Sequence, residues 1–307
     1  MGRALIRAAA EAGIRITLID ACYLHGGIDR VPEGAQVRFS DGTAEAWAER
    51  VNELADGSSR IGAAIHSIRA VDPDSARVVA RWAHDGERPL HAHVSEQPAE
   101  NEACVEAYGG TPTAVLADAG ALDAGFTAVH ATHLTEADVG LLGGAGACCC
   151  ICPTTERDLA DGIGTMRQLL AAGASLSLGS DSHAVIDMFE EARAVELDER
   201  LATGERGRHP AVDLLRAATA GGHACLGWAD AGRIEAGARA DLVTVGLDSV
   251  RLAGTDPATA LESVVFAAGA ADVRHVLVDG KPIVEDGRHT TLDVPRELHR
   301  AIGAVMA

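Results

Sequence analysis

The sequence predicts an α/β fold of the (β/α)8 TIM barrel type, here with about six strand–helix units and a small C-terminal β appendage. Three observations carry this. Short apolar runs alternate with helical patterns from residue 14 to residue 202, and such alternation implies parallel pairing of the strands. The runs are apolar at successive positions, as strands buried on both faces are. Polar residues gather where the runs end, in Leu90-His91-Ala92-His93-Val94-Ser95-Glu96-Gln97, in Val129-His130-Ala131-Thr132-His133 and in Ser180-Asp181-Ser182-His183. In a (β/α)8 barrel the C-terminal strand ends form one active-site face, so these groups would converge on a single cleft. An open doubly wound sheet is the rival, but its glycine fingerprint after a first strand is missing.

In chain order, residues 1–13 read as an alanine-rich helix and 14–20 as a buried strand leading into His25-Gly26-Gly27. A helix at 43–55 precedes a strand at 61–68, a helix at 74–84 precedes a strand at 90–95, and a helical pair over 99–121 precedes a strand at 126–131. A short helix at 136–142 leads to the cysteine-rich strand that begins at Cys148, and a helix at 164–172 leads to a strand at 175–179. Helices follow at 188–202 and 211–220. The texture then changes to turn-rich sequence, with a strand ending near 245, a hairpin over 273–284 turning at Asp279-Gly280, and a closing helix at 295–305. The expected division is a partial barrel at 1–228 and an appendage at 229–307.

A net charge of -19 opposes binding to nucleic acid or to an anionic membrane. The start shows no secretory h-region, and no run approaches the roughly 18 apolar residues of a membrane span. A soluble, cytoplasmic protein acting on a small molecule is expected. Of the seven cysteines, Cys148, Cys149, Cys150 and Cys152 crowd together. Neighbouring strand residues point to opposite faces and no distant Cys-x-x-Cys completes a set, so these are read as buried thiols in a reducing compartment. Cys225 and Trp228 are read as packing residues.

On a strand His91 and His93 share a face, and Glu96 sits at or just past the strand's end. An imidazole and a carboxyl group so spaced can serve as metal ligand and proton shuttle, or else as a satisfied core histidine and a surface glutamate. His66, His130, His133 and His183 each read singly as structural, yet polar groups at five strand ends are hard to assign to chance. Arg69 offers a planar fork suited to a carboxylate, or a surface ion pair. Thr155 and Glu156 follow a strand end and read as caps of the next helix.

The words His-Ser-Ile-Arg (66–69), His-Ala-His-Val-Ser-Glu-Gln (91–97), Val-His-Ala-Thr-His (129–133), Pro-Thr-Thr-Glu (153–156), Ser-Asp-Ser-His (180–183) and Gly-Arg-Ile-Glu-Ala-Gly-Ala-Arg-Ala-Asp-Leu (232–242) resemble the amidohydrolase superfamily. Within it the sequence is most similar to the formimidoylglutamate deiminases of histidine degradation. The resemblance implies a hydrolase acting on C–N bonds other than peptide bonds, converting N-formimino-L-glutamate to N-formyl-L-glutamate and ammonia. It makes His93 and Asp181 ligands of one divalent metal, usually zinc, and His93 with Glu96 the His-x-x-Glu of deaminating members. His130 falls at the family's sixth-strand histidine, and His66 with Arg69 at the word that grips a substrate carboxylate. In that scheme zinc lowers the pKa of bound water from 15.7 to about 7, and the hydroxide attacks the formimino carbon. His130 stabilises the tetrahedral species, Asp181 takes the water's proton and Glu96 passes a proton to the departing nitrogen. A homodimer is implied for the complete enzyme.

One departure stands out. Superfamily members carry His-x-His on the first barrel strand, whereas none precedes position 91 here and the strand at 14–20 resembles the family's third. Two ligands make half a site where catalytic zinc takes at least three. The expectation is a fragment of a longer deiminase, its activity as it stands in doubt, or a truncated, non-catalytic remnant. Another deaminase or chlorohydrolase of the superfamily, acting on a ring or guanidino compound, is the alternative enzyme, and Arg69 speaks against it.

Overall fold

Helix starts in this chain are written by capping side chains. Thr43, Asp72, Thr111 and Thr135 each accept a backbone N–H of the first turn that follows, and prolines occupy the first turn at 73, 98, 112 and 153. A computed structural model describes residues 1–54, 59–183 and 185–306. Its first part runs α1 (Gly2–Glu11), β1 (Thr17–Cys22), α2 (Ala44–Asn52), β2 (Arg60–Ile65), α3 (Pro73–Asp85), β3 (Leu90–Val94), α4 (Pro98–Tyr108), α5 (Pro112–Asp118), β4 (Phe126–His130), α6 (Glu136–Gly144), β5 (Cys148–Ile151), α7 (Pro153–Asp158), α8 (Met166–Ala172) and β6 (Ser175–Leu178). The expected end of the second helix, Ala55, lies outside the described residues. Strand β1 starts later than position 14 because the Ile14 N–H still bonds Ala9 O at the end of α1.

All six strands pair in parallel, in the order β1-β2-β3-β4-β5-β6. A doubly wound sheet reverses its strand order at a switch point, and this one does not, so the barrel-type winding prevails over the rival. Strand β3 shows the logic of the faces: Leu90, Ala92 and Val94 are buried, while His91 and His93 between them are half-buried. The helix-facing layer includes Trp47, fully buried and edge-on to Trp82 at 5.1 Å, with its indole N–H donated to Asp20 at 3.0 Å.

After α9 (Met188–Thr203) and α10 (Ala211–Arg216), the helix expected over 211–220 changes winding to a π-helical turn, Ala217–Gly221, and ends in α11 (Gly222–Cys225). This turn passes close over β6: a Cβ on Gly221 would lie 2.3 Å from Leu176 O. From there the chain crosses to β1. Thr17 Oγ1 donates to Leu226 O at 2.7 Å, and Trp228 Nε1 donates to Thr17 Oγ1 at 2.8 Å. The guanidinium groups of Arg60, Arg239 and Arg15 stand 4.2, 4.9 and 5.0 Å from the Trp228 ring. Cys225 and Trp228 thus do more than pack, since their segment joins the two edge strands near their N-terminal ends.

The C-terminal part adds β7 (Leu242–Val245), α12 (Ala260–Ala267), β8 (Val273–Val278), β9 (Lys281–Glu285), β10 (Arg288–His289) and α13 (Val294–Met306). The four strands form an antiparallel sheet in the order β10-β9-β8-β7. Its hairpin turns at Asp279 and Gly280, whose φ values of 48° and 75° match the paired left-handed positions of a tight two-residue turn. Arg15, just before β1, bonds Asp241 and Asp279 of this part. Among the described residues no helix is long and apolar enough to cross a membrane.

Candidate active site

The C-terminal ends of β2, β3, β4 and β6 bring six of the singled-out residues into one cluster. His66 follows β2, and its ring meets His93 edge-on at 5.1 Å and Tyr23 at 4.9 Å. His93 in turn stacks on His130, with ring centres 5.5 Å apart and planes 18° apart. The Nε2 atom of His130 lies 3.8 Å from Glu96 Oε1 and 3.8 Å from Asp181 Oδ2. Arg69 reaches the same carboxylate, 3.4 Å from Glu96 Oε2, and stands 3.7 Å from Glu100 Oε1.

Backbone conformation helps to build this cluster. By strand register His130 is opposite Val94, a buried residue on the face away from His93. His130 instead has φ of 67° and Ala131 of 52°, and this left-handed turn accounts for its ring stacking on His93. Ser95 at 51° and Asp181 at 34° are strained in the same sense, each at the end of a strand. Non-glycine residues held there cost about 1–3 kcal/mol each, a pattern that clusters at functional sites.

Two carboxylates support the cluster from behind. Glu156 Oε1 lies 3.3 Å from His130 Nδ1 and also accepts the Cys152 N–H at 2.8 Å. It therefore does what was expected of a helix-start carboxylate and also fixes the ring of His130, a contact that the sequence did not reveal. Its neighbour Thr155 accepts the Ser182 N–H at 3.1 Å and so steadies the turn that carries Asp181. Glu100, buried in the first turn of α4, accepts the Glu96 N–H at 3.0 Å. The sign of this pattern in the sequence was the acidic residue in a first turn just after a strand end, which reads equally as a cap.

Electrostatics divide the three histidines. Burial pushes the His66 pKa down to about 4, with the neighbouring His93 and Arg69 adding to the effect. Burial also lowers that of His93, and its Nδ1 is 2.7 Å from the His66 carbonyl, which makes Nδ1 the protonated nitrogen and leaves the Nε2 lone pair free. Burial works against a proton on His130 too, but the bond to Glu156 and the charges of Glu96, Glu156 and Asp181 outweigh it, and its pKa is raised. Burial raises the Glu100 carboxyl to about 6, against the pull of Arg69.

The other singled-out histidines stay outside. His91 bonds the Cys225 carbonyl at 3.0 Å, His133 bonds Asp161 O at 2.6 Å, and His183 sits 3.3 Å from Ser180 Oγ on the surface. A neutral imidazole oriented by a carbonyl, and a carboxylate beside it, are donors of the kind zinc takes. His93 and Asp181 thus fit part of a zinc site in chemistry, and two donors are fewer than the three of a catalytic one. Among the described residues no group of three or more histidine, cysteine or acidic side chains closes on a common point for a metal.

Residues 2–283 match the profile of the "Amidohydrolase family". The chain is 37% identical over 296 residues to formimidoylglutamate deiminase of Pseudomonas aeruginosa, covering 92% of this chain and 64% of that protein. It is 34% identical over 299 residues to 5-methylthioadenosine/S-adenosylhomocysteine deaminase of Natronomonas pharaonis, covering 95% of this chain and 68% of the relative. The crystal structure of an adenosine deaminase from Xanthomonas campestris with bound zinc superposes with a TM-score of 0.87 at 27% identity, covering 99% of this chain and 68% of the other. The six strand–helix units are therefore those of a (β/α)8 hydrolase barrel, of which this chain carries six strands, and the chain spans about two thirds of the length of these relatives.

Proposed function

Because the chain belongs to the amidohydrolase family, we propose that it serves the hydrolytic deimination of a small carboxylate-bearing amidine, N-formimino-L-glutamate, to N-formyl-L-glutamate and ammonia. The observation that carries the reading is the placement of Arg69 within 3.4 Å of Glu96, a half-exposed guanidinium beside a proton-transfer carboxylate. Arg69 can leave its contact with Glu96 to grip a substrate carboxylate, and that exchange frees Glu96 for the reacting nitrogen. His66, neutral with its pKa near 4, completes that end as a polar wall without adding charge.

At the other end His130 is positioned with Nε2 facing Glu96 and Asp181, so a protonated ring would stabilise the tetrahedral species formed when water adds to the formimino carbon, by donating to the added hydroxyl. Asp181 accepts the proton of the attacking water, and Glu96 delivers one to the departing ammonia. His93 and Asp181 would hold a divalent ion, zinc in this reading, whose contribution is to lower the pKa of water to near neutrality. A homodimer and a cytoplasmic location belong to the same proposal for the whole protein.

A second reading, deamination of a nucleoside base, draws support from the match to the Natronomonas pharaonis deaminase. The two part at Arg69, which a nucleoside does not need. Ammonia release by the zinc-supplemented whole protein, measured with N-formimino-L-glutamate and with 5-methylthioadenosine side by side, tests the proposal: release from the first supports it and release from the second alone overturns it.

A further inference from the structure

The two neighbours of Glu96 in the chain are joined by a circuit of hydrogen bonds that uses none of the cluster's own side chains. On one side the Ser95 carbonyl accepts the His133 N–H at 2.9 Å, at the left-handed turn where Ser95 has φ of 51°. The His133 imidazole carries the circuit on, its Nε2 2.6 Å from the Asp161 carbonyl, and because a carbonyl only accepts, Nε2 is the protonated nitrogen. Asp161 closes it on the other side, its Oδ1 accepting from Gln97 Nε2 at 2.9 Å. Gln97 stands at the N-cap of α4 but makes no capping bond with its side chain, which turns to Asp161 instead.

The circuit is anchored where it can set distances. Asp161 is buried, and its N–H donates to the Glu156 carbonyl at 2.8 Å, in the helix whose Glu156 side chain holds His130. Asn101 Nδ2 donates to the His133 carbonyl at 2.7 Å, so the amide, the carbonyl and the imidazole of His133 are all engaged. Gly162 follows Asp161 with φ of 110°, a conformation that favours glycine, and a Cβ there would lie 3.5 Å from His133 Cε1. The loop after α7 is therefore shaped around the imidazole.

In the proposed deimination, on which this inference rests, Arg69 leaves Glu96 for the substrate carboxylate, so Glu96 then has to be kept in place by other means. We propose that Gln97, His133 and Asp161 are positioning residues that hold Glu96 beside His130 when Arg69 turns to the substrate. The circuit passes through the residues on either side of Glu96 and joins Glu100, which accepts the Glu96 N–H at 3.0 Å, in fixing the turn that carries it. Through Asp161 it is also tied to the helix that orients His130, and so it sets the separation of the two groups that act on the tetrahedral species. A misplacement of about 1 Å in such a pair costs up to about 10²-fold in rate. The substrate itself is gripped at Arg69, so loss of the circuit falls on kcat rather than on KM.

The test is ammonia release by the zinc-supplemented whole protein carrying Gln97→Ala, His133→Ala or both, measured with N-formimino-L-glutamate and with 5-methylthioadenosine. Gln97 is exposed, so its truncation leaves the fold intact, and kcat should fall about tenfold with KM and bound zinc unchanged. The double variant should lose no more than the worse single one, because either substitution opens the same circuit. A parent-like kcat in Gln97→Ala, a change confined to KM, or losses that multiply in the double variant would overturn the proposal. Failure of the deimination reading shows separately, as release by the parent from 5-methylthioadenosine alone, and the same kcat loss is then expected on that substrate. A readout free of turnover uses Arg69→Met to mimic the departed guanidinium. In that background a crystal structure of Gln97→Ala should show the Glu96 carboxylate displaced from beside His130, and a carboxylate left where Arg69→Met alone has it would overturn the proposal.

Discussion

His130 and Glu156 face each other across the back of the candidate site, with Nδ1 and Oε1 3.3 Å apart and both side chains nearly closed to solvent. The contact decides which nitrogen of His130 is turned toward Glu96 and Asp181, and it raises the affinity of the ring for a proton. Glu156→Gln should therefore lower the His130 pKa, readable by NMR titration. Turnover should fall by about 10- to 100-fold, the usual loss when a partner behind a working histidine is removed. An unchanged His130 titration would show that the contact has no electrostatic role.

Arg69→Met should raise KM for N-formimino-L-glutamate by about tenfold or more, since hydrogen bonds to charged groups are worth about 1.5–3 kcal/mol. The effect on an uncharged formamidine should be small. Equal losses on the two substrates would make Arg69 a structural partner of Glu96 and Glu100.

Glu100 supplies a pH signature. Its carboxyl pKa rises from the model-compound value of 4.5 to about 6 on folding, mainly by burial, so the folded state binds the proton more tightly. Stability therefore falls as pH rises from about 4.5 through about 6, by about 2 kcal/mol for this group. Glu100→Gln keeps an acceptor for the Glu96 N–H and removes the charge. It should be more stable than the parent by about that amount at pH 7.5 and equal to it at pH 4, measured by denaturant unfolding. A parent-like profile in the variant would contradict the assignment.

Much of this architecture is legible in the sequence, and the parts that are not share a physical reason. Alternation of apolar runs with helical patterns suffices for the parallel units, and parity suffices to put His91 and His93 on one face. Parity fails at His130, because a left-handed backbone at the strand end turns the ring over, and no residue type announces that. Glu156 carries the same sequence sign as any helix cap, and its second contact comes from a residue 26 positions away. Cys225 and Trp228 read as packing because their partners, His91, Thr17 and Arg60, come from distant strands and flanks. Helix α12 is not legible in the sequence for another cause: Ala260–Ala267 is apolar nearly throughout and has no helical periodicity.

Trp228→Ala tests the joining segment. The substitution removes the indole bond to Thr17 and the surface on which Arg15, Arg60 and Arg239 rest. A loss of about 3 kcal/mol is expected in equilibrium unfolding, in line with large aromatic truncations. A loss within about 0.5 kcal/mol, the range of ordinary surface substitutions, would mean that the segment does not hold the edge strands.

The most direct measurement of the central claim is ammonia release from N-formimino-L-glutamate by the zinc-supplemented whole protein and by its Glu96→Gln variant, with bound metal determined in both. Loss of a proton-transfer group should cut turnover by about 10²- to 10⁴-fold while metal content stays the same, because Glu96 is placed beside Arg69 and His130 to move a proton. Turnover in the variant close to that of the parent, or loss of the metal together with the activity, would contradict the account.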